Sequence, residues 1–377
     1  MRRRNTLVGV VCAGHHPCST IPRTTEFLLM FENFSRRICR AARLVLFLVH
    51  GENHGAYKPF LGLSIFSIFL LAASSASANC GSSYCSINTN SEIQFDALDP
   101  GLSLNLRYEF VDLDELRAGR NKAAAQGEPG GHDELETRNH NLVLALDYAF
   151  DRHWGIGVQI PYLKRYHSHI HNPDKNEIAA GEQPERKEWN LSGLGDVRAI
   201  GRYQFDLGAV SVGAHAGVKL PTGKRNASND AGEVAERTLQ PGTGSTDLIT
   251  GLFVKGSIGD TAWRWFSQTQ WRHAIASKDD FRPGDEINVD LGLRYLVSES
   301  FTANVQLNTR YRRRDSGANA EPDESGGKYV YASPGLSYAI AGGFQIYGYV
   351  QVPLYQNVNG VQLTQNMSYV AGVSYRF

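Results

Sequence analysis

Beyond residue 73 the chain has no long apolar run, so it offers no helix able to cross a bilayer, which takes about 20 apolar residues. It is also short of cysteine, with 5 in 377 residues. Cys12, Cys18 and Cys39 precede residue 58, which leaves Cys80 and Cys85 as the one pair available to an exported chain. In an oxidising compartment such a pair most simply forms a disulfide. Net charge is missing as well: 38 basic residues balance 38 acidic ones, and nothing in that balance calls for a nucleic-acid partner.

Gly, Tyr and Phe, by contrast, are plentiful, at 38, 17 and 17 residues. The last segment shows how they are used. In Met367-Ser-Tyr-Val-Ala-Gly-Val-Ser-Tyr-Arg-Phe377, Met367, Tyr369, Ala371, Val373, Tyr375 and Phe377 share one face. Ser368, Gly372, Ser374 and Arg376 share the other. A strand with hydrocarbon on one side and water on the other needs this period of two. Tyr375 and the terminal Phe377 resemble the signal read by the bacterial barrel-assembly machinery.

A second compartment signal lies at Phe60 to Ala73, an apolar run with Lys58 before it and Ala76-Ser-Ala78 after it. It resembles a secretory signal peptide cleaved after Ala78. Residues 58–78 are therefore expected to be removed. Residues 1–57, basic at Met1-Arg-Arg-Arg4 and Arg36-Arg-Ile-Cys-Arg40, read as an atypical leader or a start site placed too far upstream. Asn79 stands where a lipoprotein needs a small residue, so lipid attachment at Cys80 is not expected. Residues 79–100 are expected to form a periplasmic segment carrying the cysteine pair, and 101–377 a barrel.

Alternation predicts about twelve strands, at 102–110, 139–150, 154–166, 195–205, 209–220, 247–257, 262–274, 287–297, 301–312, 329–340, 344–354 and 365–377. Each has the length that a tilted membrane strand needs. The connections alternate between tight turns near 151–153, 206–208, 259–260, 298–300 and 341–343 and long polar loops near 111–136, 167–187, 221–246, 275–286, 313–328 and 355–364. The expected fold class is all-β: a transmembrane antiparallel up-and-down β-barrel in the Gram-negative outer membrane, with both termini periplasmic and lipid as its surroundings.

Every second residue of such a wall faces the lumen. Inward positions carry Arg107, Arg198, Arg202, Lys219, Arg264, Arg272, Arg294, Arg310, Arg312 and Arg376 against Glu109, Asp147, Asp196 and Asp290. The predicted lumen is polar and net basic. One reading is a channel that favours anionic solutes; the other is an interior that merely interlocks and passes nothing.

Three segments carry a family resemblance: Gly193-Leu-Gly-Asp196, Gly217-Val-Lys-Leu-Pro-Thr-Gly-Lys224 and Gln240-Pro-Gly-Thr-Gly-Ser-Thr-Asp247. In this order they resemble an outer-membrane transporter-like family labelled with the MetA pathway of phenol degradation. The resemblance covers about 102–377 and implies a barrel that passes small, often hydrophobic or aromatic, molecules, with no catalytic residues; no cofactor is expected. Physically, Gly and Pro permit bends at a rim, and Asp196 and Asp247 are placed to bond loop amides.

One constellation stands outside that reading. Tyr166-His-Ser-His-Ile-His171 sets His167, His169 and His171 at alternate positions of an expected loop, where neutral imidazoles could share Zn²⁺ or Cu²⁺. The alternatives are a metal-binding or structural surface barrel and, behind it, a lipid-acting enzyme. The latter lacks the His-x-Ser-Asn-Gly segment of the outer-membrane phospholipase; His140-Asn141 and His167-Ser168 supply residue types without the pattern, so no enzyme is expected.

Overall fold

The structure is a computed structural model that describes residues 79–80, 87–89, 100–125, 127 and 129–377. The expected leader and signal peptide, and Cys85, lie outside the described residues. Thirteen strands build the wall: β1 (Gly101–Ala118), β2 (His132–Ala149), β3 (Trp154–His171), β4 (Glu185–Leu194), β5 (Val197–Leu207), β6 (Val210–Leu220) and β7 (Thr246–Ser257), followed by β8 (Trp263–Ala276), β9 (Glu286–Leu296), β10 (Phe301–Arg312), β11 (Gly327–Ile340), β12 (Phe344–Val358) and β13 (Val361–Arg376). Strands β4 and β5 share one wall position, because β3 pairs β4 from Tyr162 to His171 and β5 from Trp154 to Gln159. Twelve staves result. All neighbours are antiparallel, and β13 closes on β1 from Val361↔Ala118 to Arg376↔Ser103.

The twelve-stave plan and the tight turns agree with the sequence reading, and the loops need correcting. At the loop end the strands run on: β1 reaches Ala118, β3 reaches His171, and β4 begins at Glu185, inside the expected loop near 167–187. The expected loop near 355–364 shrinks to Asn359 and Gly360 between β12 and β13. Polar side chains at these strand ends hid the extension, since a strand standing above the bilayer needs no apolar face. A helix, α1 (Lys175–Ala179), caps one loop, with Asp174 accepting from the amides of Asn176 and Glu177.

The outward face is apolar. Leu291 and its cross-strand partner Leu307 are 47% and 38% exposed, whereas the next residue of β10, the inward Asn308, is 0% exposed. Near the turn end an aromatic girdle pairs Trp154 with Tyr203 at 4.5 Å, Trp263 with Tyr295 at 4.6 Å and Phe344 with Tyr375 at 4.3 Å. Rings with a polar edge suit a membrane–water interface.

Inside, amide and hydroxyl side chains link strand to strand. Gln365 Nε2 donates to Gln351 Oε1 (3.1 Å), Gln351 Nε2 to Ser333 Oγ (3.1 Å), Ser333 Oγ to Asn308 Oδ1 (2.7 Å) and Asn308 Nδ2 to Asp290 Oδ1 (2.8 Å). A buried polar group without a partner costs about 1–3 kcal/mol, so this hoop belongs to the stability of the wall.

Residues 79–80 and 87–89, from the expected N-terminal segment, lie against the barrel. Asn79 and Cys80 pair in parallel with Gln362 and Leu363 of β13, near the loop end. Asn88 lies within the lumen: its amide donates to Gln306 Oε1 (3.0 Å), and its Nδ2 donates to Gln268 Oε1 (2.7 Å) and Asp290 Oδ2 (3.2 Å). Gln306 Nε2 returns a bond to Asn88 O at 2.9 Å. Ile87 packs against the inward Tyr347, Tyr349 and Val370.

A charge at the centre of the outward belt tests the lipid-facing assignment. Leu291→Arg is expected to destabilise the folded barrel by about 2–4 kcal/mol in urea unfolding from lipid vesicles, and Glu182→Arg in the α1 loop to change it by less than about 0.5 kcal/mol.

Candidate functional site

The lumen holds a cavity of about 230 Å³ at mid-depth. Ile87, Asn88 and Thr89 border it, together with wall residues and the loop joining β6 to β7. Its charged lining comprises Arg107, Arg165, Arg198, Lys219, Arg237, Arg272, Arg310 and Arg312 against Glu109, Asp196, Glu286 and Asp290. Eight basic groups to four acidic ones keep it net basic, but most are tied: Arg107 Nε to Glu109 at 2.8 Å, Arg272 Nη2 and Arg310 Nη2 to Glu286 Oε2 at 3.0 and 2.8 Å, and Arg312 Nη2 to both oxygens of Asp315 at 2.6 and 2.7 Å. The acids Glu286, Asp315 and Asp247 were not among the expected inward positions, so the positive excess is smaller than the sequence implies.

The loop between β6 and β7, residues 221–245, folds into the loop end of the barrel. Its Ala227, Ala235 and Leu239 join Val111, Leu113, Trp189, Leu191 and Leu363 of the inner wall in one buried apolar cluster. Arg165 crosses from the wall to this loop, with Nη1 donating to Thr238 O at 3.1 Å and Nε to Asn139 Oδ1 at 2.6 Å. At its root Lys219, 2% exposed on its side chain, sits between two carboxylates, with Nζ 2.9 Å from Asp196 Oδ2 and 3.3 Å from Asp247 Oδ2. Lys219 Nζ also donates to Ser245 O (3.0 Å) and to Thr243 Oγ1. Asp196 accepts from the amides of Gly223 (3.1 Å) and Thr243 (2.9 Å). A Cβ at Gly242 would meet the Gly223 carbonyl carbon at 2.5 Å, so both glycines are needed where the two ends of the loop cross.

A second group of ionisable residues gathers near the loop end. His132 and Glu134 of β2, His169 of β3 and Glu236 of the inward loop bring ligand-type atoms within 4.8 Å of one another. His167 adjoins them, its Nε2 3.3 Å from His169 Nδ1 and 3.5 Å from Glu134 Oε2. His171 instead pairs with Glu177 at 3.5 Å. Burial, followed by the charge of Glu134, raises the Glu236 carboxyl. Burial also pushes Glu321 up to about 7, with Glu236 adding to it, and Glu324 up to about 8, with Glu321 adding.

Residues 170–371, more than half of the chain, match the family described as "Putative MetA-pathway of phenol degradation". The chain belongs to this family. An outer membrane channel from Pseudomonas putida F1 is similar to it in fold, with 14% identity, a TM-score of 0.56 and coverage of 77% of this chain and 100% of that chain. The toluene transporter TbuX of Ralstonia pickettii (10% identity, TM-score 0.39, 74% and 90% covered) and a FadL homologue of Pseudomonas aeruginosa (10%, 0.39, 74% and 90%) are more distant and add nothing to the fold. Among curated proteins, no sequence matches this chain. The wall is that of a bacterial outer-membrane β-barrel.

The three segments that carry the family resemblance meet in space around Lys219. Gly195 and Asp196 break β4 from β5, while the other two segments form the two ends of the inward loop. Asp196 does bond loop amides; Asp247 takes side-chain donors instead, from Ser245 Oγ at 2.6 Å and Arg272 at 3.2 Å. Of the expected lumen residues, Arg107, Arg198, Lys219, Arg272, Arg310 and Arg312 line the central cavity, and Arg294 borders a narrow void beneath Asn88. Arg202 is buried near Asp147 at 3.8 Å. Arg264 turns to the backbone, donating to Thr261 O and Trp263 O near the turn end. The histidines lie on strand β3, not in a loop, and they split between the Glu134 cluster and Glu177.

Removing one partner of the buried knot leaves carboxylates without a counter-charge. Lys219→Met is expected to destabilise the barrel by about 3–5 kcal/mol, and the double variant Lys219→Met/Asp196→Asn to recover part of that loss, read from urea midpoints of refolded protein.

Proposed function

We propose that the barrel is an outer-membrane conduit for small anionic solutes, up to the size of a single-ring carboxylate, with its tight turns and both ends of the barrel chain on the periplasmic side. The observation that carries this reading is the net-basic cavity at mid-depth in a wall belted with apolar side chains. A cavity of roughly 150 Å³ holds benzene, so the volume here admits one ring. Arginine edges would then replace the water around a carboxylate. A hydrocarbon without charge would find few apolar partners in this lining, although the family label concerns phenol and the R. pickettii neighbour is described as a toluene transporter.

Passage requires movement at two places. Asn88 and its neighbours form the floor of the cavity, and the loop of residues 221–245 covers its loop side. In both places the contacts are mainly hydrogen bonds and small apolar groups, which exchange more readily than a wall ladder. The C-terminal strand, with Tyr375 and Phe377 facing outward, is the element offered to the assembly machinery.

Planar-bilayer recording under a tenfold salt gradient tests the reading. Wild-type protein should show anion preference. Arg310→Gln/Arg312→Gln, which leaves Glu286 and Asp315 under-compensated, should move the reversal potential toward cations by on the order of 10 mV, out of the about 59 mV that perfect selectivity gives. Cation preference in the wild type would contradict the proposal.

A further inference from the structure

We infer that His132, Glu134, His169 and Glu236 form a binding site for one divalent transition-metal ion, of which zinc is the fitting example, and that this ion ties the inward loop to the barrel wall. The inference rests on the fold and not on the solute reading.

The geometry is close to what such an ion requires. Zinc bound at about 2.0–2.1 Å in a tetrahedron sets its ligands roughly 3.3–3.5 Å apart. His132 Nε2 stands 3.4 Å from Glu134 Oε1 and 3.3 Å from Glu236 Oε1, so two edges of that tetrahedron are already present. The His132 and His169 rings stack at 4.6 Å.

The chemistry agrees with the geometry. Two neutral imidazoles and two carboxylates make a neutral complex with a divalent ion, and the place is largely shielded: the Glu134 side chain is 0% exposed, that of His132 13% and that of Glu236 26%. Without a cation, two carboxylates and their neighbours are crowded where water is scarce, which is costly. Glu236 Oε2 is buried and accepts no hydrogen bond, and a buried polar atom of that kind calls for an ion or a water.

The surrounding residues hold the ligands in place. His167, anchored by Thr137 Oγ1 at 2.9 Å, contacts both His169 and Glu134, the kind of outer support that orients metal ligands. Trp189 covers the group, its ring 4.8 Å from that of His169. Glu236 is positioned by Ala235 N donating to Ala227 O (3.0 Å) and by Gln240 Nε2 donating to Ala235 O (2.7 Å).

Two of the ligands depend on one irregularity in β2. Its register against β3 shifts between Glu134 and Glu136, so Glu134 faces His169 and His132 faces His171. Without the shift, Leu135 would take the place of Glu134 and Asp133 that of His132, so neither β2 ligand would enter the site.

The test is zinc titration of the refolded full barrel in detergent by calorimetry, with Co²⁺ substitution read by visible absorption. The expected result is one zinc per barrel and the strong visible bands of tetrahedral Co²⁺. Glu236→Gln and His169→Ala should each weaken zinc binding by at least about tenfold, while His171→Ala leaves it unchanged. Heat-modifiable gel migration confirms that each variant is folded. Folded wild type that takes up no zinc overturns the inference, as does a Glu236→Gln variant that binds as tightly as wild type. Loss of binding in His171→Ala with retention in Glu236→Gln would move the ion to the His171 and Glu177 pair and likewise overturn it.

Discussion

A backbone amide in hydrocarbon has no water to turn to, and this constraint governs the molecule. Each unpaired N–H or C=O would cost several kcal/mol, so a wall of strands must close on itself. The ladder between β13 and β1 supplies that closure along nearly the whole of both strands. Where a ladder falls short, something else completes it: the β12–β13 pairing stops at Gln351↔Ser368, and Asn79 and Cys80 pair with β13 further along, at Gln362 and Leu363. Closure in turn fixes which residues face lipid and which face the lumen, because side chains alternate without exception along a regular strand.

Closure alone gives a tube, and the interior is made by a few long-range knots. The hoop from Gln365 to Asp290 ties five neighbouring strands and ends on Asn88, so the same hydrogen bonds that stiffen the wall hold residues 87–89 across the lumen. Lys219 does the corresponding work near the loop end. A lone ammonium buried there would be very costly, but Asp196 and Asp247 offset its charge, and the loop residues Thr243 and Ser245 take its remaining protons. The result is a loop that turns into the barrel, covers the cavity and brings Glu236 to the histidines.

What could be read from the sequence follows the same division. The wall was legible because Leu291, Leu307 and Tyr295 alternate with Asn288, Asp290 and Asn308, and a period of two survives without any knowledge of the partner strand. The strand ends were not, since above the bilayer Glu136, Arg138 and Ser168 on the outer face have no reason to be apolar. The interior charge was legible only in part: Arg272 and Arg310 were visible as inward positions, whereas their partner Glu286 stands at the first residue of β9, where the expected strand had not begun. His132 and Glu134 were hidden for another reason. A one-residue shift in β2 reverses its facing, and nothing in the alternation announces it. The inward course of the loop of residues 221–245 rests on contacts across distant parts of the chain, which local pattern does not carry.

We propose above all that the basic cavity serves anionic solutes. This is tested most directly by osmotic swelling of proteoliposomes in benzoate compared with benzylammonium, two single rings of similar size and opposite charge. Benzoate should enter protein-containing vesicles faster than benzylammonium, and faster than it enters protein-free vesicles. Equal entry of both ions at the protein-free rate, or faster entry of benzylammonium, would contradict it.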